Sequence, residues 1–119
     1  MSEDDIVEGY MYEAGEPSFS APVRNIRGVP VVEARGELDL STVPKLMEAI
    51  GRAEARKGDR ALVVVDLRDL AFIDSTGAYS IVEQVRATRE TGGELRVVVP
   101  KRGSTGRVFD LLEIDRIIE

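Results

Sequence analysis

Neither cysteine nor histidine occurs among the 119 residues. Without cysteine there are no disulfides, no thiolate nucleophiles and no sulfur-ligated metal sites. Without histidine the commonest metal ligand is missing, and so is the usual base of a serine nucleophile. Long apolar runs are also lacking. None approaches the roughly 20 residues of a membrane-spanning helix, and the N-terminus has no basic-then-apolar signal-peptide pattern. Neither GxxxxGK[ST] nor GxGxxG is present, so neither common glycine-rich phosphate cradle supports a bound nucleotide. These absences exclude much enzyme chemistry, suggest no catalytic residue, metal or cofactor, and place the chain in the cytoplasm.

Basic residues are missing from the N-terminal stretch. Glu3, Asp4, Asp5, Glu8, Glu13 and Glu16 precede any lysine or arginine, and these six acids equal the whole formal charge of -6. From Pro17 onward 16 acidic and 16 basic residues cancel. The rest of the chain therefore has no net field to concentrate nucleic acid. Residues 1–18 read as an acidic, mobile segment, because they carry two glycines and no sustained hydrophobic period. Residues 19–119 read as one domain, since domains commonly hold roughly 100 to 150 residues.

What is present alternates between strand and helix periods. Strand signals begin near Ala21 and resume from Val29 to Arg35 around Gly28, which predicts a hairpin at a sheet edge. Val43, Leu46, Met47 and Ile50 then recur at helical spacing; Ser41 or Thr42 can cap that helix, and Pro44 is tolerated in its first turn. Gly58 and Asp59 end it. Ala61 to Val65 is an unbroken, β-branched run of the kind buried on both sheet faces, the expected central strand. Ala78, Ile81, Val82 and Val85 mark a second helix that ends before Gly92-Gly93. Leu95 to Val99 is another buried strand, and Val108, Leu111 and Leu112 indicate a third helix after Ser104 or Thr105. The expected fold is α/β: a mixed, mostly parallel sheet with an N-terminal edge hairpin and flanking helices.

In such sheets function gathers where strands deliver the chain to helix N-termini, whose amides carry partial positive charge. Two junctions stand out, at Asp39 and at Asp74-Ser75. In Phe72-Ile73-Asp74-Ser75-Thr76-Gly77 an apolar pair anchors a short polar loop immediately before a helix start. Asp74, Ser75 or Thr76 can act simply as the N-cap, stabilising the helix by about 1 kcal/mol. A serine here also suits a phosphoswitch. The helix terminus tolerates a new charge of about -1.5 to -2, while a partner packed over the loop would have to bury that charge. Gly77 admits either a partner's backbone or close packing of helix on sheet. Asp39 can cap the first helix or its preceding turn, or face a basic partner. Asp66 and Asp69, read as following the central strand, with Lys101 after the next, raise a carboxylate or phosphoaspartate site. Solvated turn carboxylates explain them as well.

These residues resemble the sulfate transporter and anti-sigma-factor antagonist (STAS) family, in its stand-alone antagonist form. The resemblance runs from about Val29 to Ile118. It rests on Gly36-Glu37-Leu38-Asp39, on Leu62 to Asp66 with Leu67 and Leu70, and above all on Phe72 to Gly77. It implies partner switching: the unphosphorylated antagonist binds an anti-sigma factor that is also a serine kinase, and so frees a sigma factor. Phosphorylation then ends the binding, and a PP2C-like phosphatase carrying its own metal resets the cycle. By position the phosphoacceptor is Ser75, and the docking face comprises Asp39, Ser41, Thr42, Asp74, Thr76, Gly77 and Ala78. Where many relatives carry a leucine after this run, the chain has Ala78-Tyr79, a change that bears on partner choice. The stretch around Tyr10, Met11 and Tyr12 is expected to cover residual apolar surface or to form a homodimer contact. A constitutive interaction module with an unmodified Ser75 is the alternative.

Overall fold

The computed structural model describes residues 19–58, 61–111 and 117–118. The acidic segment 1–18, with its expected covering or dimer contact, and Asp59 lie outside the described residues. The elements are β1 (Phe19–Ser20), β2 (Val23–Ile26), β3 (Val29–Leu38), α1 (Val43–Glu54), β4 (Leu62–Ile73), α2 (Ser75–Glu90), β5 (Glu94–Val99), α3 (Gly103–Leu111) and β6 (Ile117–Ile118). The sheet order is β1-β3-β4-β5-β6, with β2 also paired to β3. β3 to β6 run parallel, and β1 and β2 are antiparallel to β3. The expected mixed, mostly parallel sheet with an edge hairpin is therefore present.

The hairpin joins Ile26 to Val29, its register partner, through Arg27 and Gly28. Both turn residues have positive φ, 52° and 82°, as a tight turn matching the strand twist demands. β1 escapes sequence reading because it is two residues long and Ala21-Pro22 separates it from β2. Proline has no N–H to give the ladder, but its carbonyl still accepts from the Glu33 N–H at 2.9 Å.

α1 buries Leu46, Ala49, Ile50 and Ala53, spacings that line one helix face. They meet Val32, Ala34 and Leu38 of β3 and Val63, Val65 and Leu67 of β4 in one apolar core, which also takes Ile81, Leu95 and Phe109. Each large apolar side chain buried in this way contributes about 1.5–3 kcal/mol. The alternate residues of the same strands carry ion pairs on the other sheet face. Glu33 meets Arg24 at 2.9 Å and Arg35 at 3.3 Å, Asp66 meets Arg68 at 2.9 Å, and Glu94 meets Arg96 at 2.6 Å.

One sequence expectation needs correction here. The central strand does not stop at Val65 but continues to Ile73, so Asp66 and Asp69 lie within it rather than in a turn after it. The period of two, with Leu67 buried between outward-facing Asp66 and Arg68, is the strand signal. Burial pushes the Asp66 carboxyl up, but the hydrogen bonds and charge of Arg68 outweigh it and hold the group below the ordinary aspartate range.

β4 also carries two more residues than β3 over the same length. Val31 faces Val64, but Leu38 faces Ile73, with register shifts between Glu33 and Arg35 and between Gly36 and Glu37. Each inserted residue bends its strand. Together they bring the ends of β3 and β4 level.

Ala61, just before β4, has a φ of 52°. An L-residue pays roughly 1–2 kcal/mol for this conformation, and glycine pays almost none of it. Ala61→Gly should therefore raise the urea midpoint, by a net of about 0.5–1 kcal/mol after the extra entropy of the unfolded chain is subtracted. An unchanged or lower midpoint would reject the strain.

Candidate functional site

Because Leu38 and Ile73 end their parallel strands side by side, the two junctions following them become neighbours. The Asp74 N–H donates to the Leu38 carbonyl at 3.2 Å and ties one junction to the other.

The Asp39 junction is held by its own side chain. Oδ1 of Asp39 accepts from the Ser41 hydroxyl at 2.7 Å, the Ser41 N–H at 3.0 Å and the Thr42 N–H at 3.2 Å. Its carbonyl accepts from the Val43 N–H at 2.9 Å. Asp39 therefore stabilises the turn into α1, an Asx-type arrangement. Thr42 occupies the cap position without a side-chain capping bond. Its hydroxyl instead donates to the Glu37 carbonyl at 2.8 Å and accepts the Asp39 N–H at 3.0 Å. The Ser41 hydroxyl bond, followed by the bonds from the N–H groups of Ser41 and Thr42 and the Thr42 hydroxyl, lowers the Asp39 carboxyl below the ordinary 3.8 despite some burial.

A carboxyl lowered on folding adds stability above its unfolded value, and that stability is lost as pH falls through the folded value. At pH 7 the native chain should thus unfold at higher urea than Asp39→Asn, and the gap should narrow below about pH 3.8. A gap that stayed constant down to pH 2.5 would show that the charge adds nothing to the turn.

At the second junction Asp74 is the N-cap of α2, in extended conformation, and its Oδ1 accepts from the Gly77 N–H at 2.8 Å. This settles which residue caps. Ser75 and Thr76 are the first two residues of the helix, both exposed, and their hydroxyls have no hydrogen-bond partner among the described residues. First-turn amides have no intrahelical acceptor, so partial positive charge surrounds the Ser75 hydroxyl.

Helix geometry separates the remaining residues. Gly77 and Ala78 face the sheet, with Ala78 fully buried. A Cβ built on Gly77 would stand 2.8 Å from the Leu38 carbonyl oxygen, 3.0 Å from Leu38 Cγ and 3.2 Å from Ile73 Cγ1. Gly77 is therefore clearance for packing helix on sheet. Gly77, Ala78 and Thr42, all expected on a docking face, are buried. Ser41, Ser75 and Thr76 are exposed, with Asp39 and Asp74 partly buried.

Two exposed residues were not anticipated. Phe72 was expected to anchor the loop together with Ile73, yet only Ile73 is buried, and Phe72 is 45% exposed. Strand alternation, applied through residue 73, would have separated the pair. Leu40, 74% exposed, carried no such signal. Tyr79, flagged in the sequence, is 59% exposed.

The alternative chemistries find little support. Asp66 is held by Arg68 through Nε at 3.0 Å and Nη2 at 2.9 Å, in mid-strand opposite Val98, whereas Lys101 lies beyond the end of β5. Among the described residues no three acidic side chains converge as a metal site. No helix among them is long and apolar enough to cross a membrane.

Comparison with known proteins agrees with this geometry. The model of one protein family, described as the STAS domain, matches residues 20–119. The chain is 34% identical over 101 residues to the anti-sigma-F factor antagonist RsfB of Mycobacterium tuberculosis, covering 83% of this chain and 78% of the relative. It is 32% identical over 79 residues to the anti-sigma-B factor antagonist of Listeria monocytogenes, covering 66% of this chain. The chain thus spans 64% of the length of that relative. Among solved structures it is similar to an anti-sigma factor antagonist from Mycobacterium paratuberculosis, with a TM-score of 0.66, 31% identity and 85% of each chain covered. The anti-sigma factor antagonist SpoIIAA in its unphosphorylated form shares the fold, with a TM-score of 0.65 and 18% identity over 84% of this chain and 88% of that one.

Proposed function

The chain belongs to the STAS domain family, and from that premise we propose that it is an anti-sigma-factor antagonist switched by phosphorylation of Ser75. In this reading residues 19–119 are the working domain, acting in the cytoplasm, and 1–18 form a separate acidic segment. The unphosphorylated chain docks on an anti-sigma factor and thereby releases a sigma factor. The chain itself catalyses nothing. The anti-sigma factor, acting as a serine kinase, directs the Ser75 oxygen onto the terminal phosphorus of ATP; ADP departs, and the hydroxyl proton passes to the kinase. A PP2C-like phosphatase hydrolyses the phosphoserine and resets the switch.

The observation that carries this reading is the state of the Ser75 hydroxyl. It is exposed, unpartnered among the described residues, and placed at a helix start whose capping is done by Asp74. A hydroxyl spent on capping would be unavailable to a kinase; this one is not spent. Phosphate there meets the favourable end of the helix dipole, so the fold tolerates it. A partner seated over Asp39, Ser41, Ser75 and Thr76 would have to desolvate two negative charges.

The test is to incubate the chain with each purified anti-sigma kinase of its source organism and ATP, then to map the modification by mass spectrometry and compare binding before and after. One phosphate on Ser75 together with lost binding is expected. Binding with Ser75 left unmodified would instead make the chain a constitutive interaction module.

A further inference from the structure

Four large apolar side chains stand out from the described surface: Leu40, Tyr79, Phe72 and Ile26. Scattered exposed apolar residues need no explanation, but three of these four gather at one end of the sheet. The first three belong to the two strand-to-helix junctions. Ile26 sits in the hairpin at the opposite end of β3, roughly 30 Å away for a strand of this length.

Tyr79 follows Ser75 by four residues, one turn of α2, on the helix face away from the buried Gly77, Ala78 and Ile81. Side chains four apart on a helix are neighbours, with Cβ atoms roughly 5–6 Å apart. Leu40 projects from the Asp39 turn because Asp39 and Thr42 fix the residues on either side of it. Phe72 lies opposite Glu37 on the sheet face away from the helices and points elsewhere. Ser75 is thus flanked by an aromatic ring on its own helix and a leucine on the adjacent junction.

Resting on the reading above, we propose that Tyr79 and Leu40 are the apolar anchors by which the anti-sigma factor is held, and that Tyr79 selects which anti-sigma factor binds. The surface calls for a partner with an apolar recess deep enough for a tyrosine ring, bordered by hydrogen-bond donors or a cation for the carboxylate of Asp39. Aromatic side chains at the centre of an interface commonly carry much of the affinity, while surrounding polar groups mainly exclude water. The arrangement also explains why one phosphate would suffice. A dianion one helical turn from the ring would be carried into the recess that receives the ring, where leaving it unpaired is costly.

The experiment uses the full chain and the substitutions Tyr79→Ala, Tyr79→Phe, Tyr79→Leu, Leu40→Ala and Ile26→Ala. Each is titrated calorimetrically against every purified anti-sigma factor of the source organism, and thermal midpoints serve as the folding control. On the factor bound by the native chain, Tyr79→Ala should lose about tenfold or more in affinity and Leu40→Ala roughly three- to tenfold. Tyr79→Phe should stay within about threefold, and Ile26→Ala should bind as the native chain does. Tyr79→Leu should change the order of preference among factors. Native affinity in Tyr79→Ala, or a loss equal to it in Ile26→Ala, would overturn the anchors. An unchanged order of preference in Tyr79→Leu would overturn the selection. If the native chain bound none of the factors, the antagonist reading beneath the inference would fail instead.

Discussion

Ser75→Asp should bind the anti-sigma partner about 100-fold more weakly than the native chain, or worse, whereas Ser75→Ala should bind as the native chain does and persist when ATP is added. The difference comes from the complex rather than from the fold. An uncompensated charge buried in an interface costs about 3–5 kcal/mol, which is a factor of 100 or more. In the free chain the same charge lies at the first turn of α2, where a helix terminus favours an anion by about 0.3–1 kcal/mol. Repulsion from the neighbouring Asp74 offsets part of that gain, so the two variants should melt close to the native chain. Removing the hydroxyl costs little, because it makes no hydrogen bond among the described residues. Equally tight binding by both variants would be fatal to the switch. A collapse of the Ser75→Asp melting temperature would place the effect in folding.

Gly77→Ala should destabilise the domain by about 1–2 kcal/mol, and Gly77→Val by about 3 kcal/mol or more. On helix propensity alone the alanine should gain about 1 kcal/mol, so the expected loss runs against the local rule. The obstacle is the Leu38 carbonyl oxygen, 2.8 Å from the Cβ position. It cannot easily yield, because it accepts the Asp74 N–H that joins the two junctions. Leu38 and Ile73 are themselves buried in the core. Relief therefore requires the N-terminus of α2 to lift away from β3, which also moves Ser75 relative to Asp39. Urea unfolding measures the first effect, and partner binding at matched folded concentration measures the second. An alanine variant as stable as the native chain would reject the close packing.

The buried strands and amphipathic helices were legible in the sequence because their signals are local and periodic. That α2 starts among Asp74, Ser75 and Thr76 was legible for a similar reason, since a cap interacts within one turn of its own helix; the structure chose Asp74 as the cap. Errors arose where polar residues masked a strand. Asp66 and Arg68 look like a turn until their alternation with the buried Leu67 is counted. Phe72 and Ile73 look like one apolar anchor until the alternation shows them on opposite faces. Gly77 admitted two readings, and only the carbonyl opposite it chose between them.

The sequence by itself determined the alternation of strand and helix, the balanced charge beyond residue 16, the exclusion of cysteine and histidine chemistry, and a serine hydroxyl at a helix start. All of these depend on composition or on residues within a turn of one another. Tertiary structure alone decided that Asp39 and Ser75 share a surface, that Thr42, Gly77 and Ala78 lie beneath it, and that Leu40 and Tyr79 stand out from it. Those outcomes depend on the register of β3 against β4, where two extra residues in β4 bring Leu38 level with Ile73. Such a register is set by contacts between strands separated by the whole of α1, which no local pattern in either strand encodes.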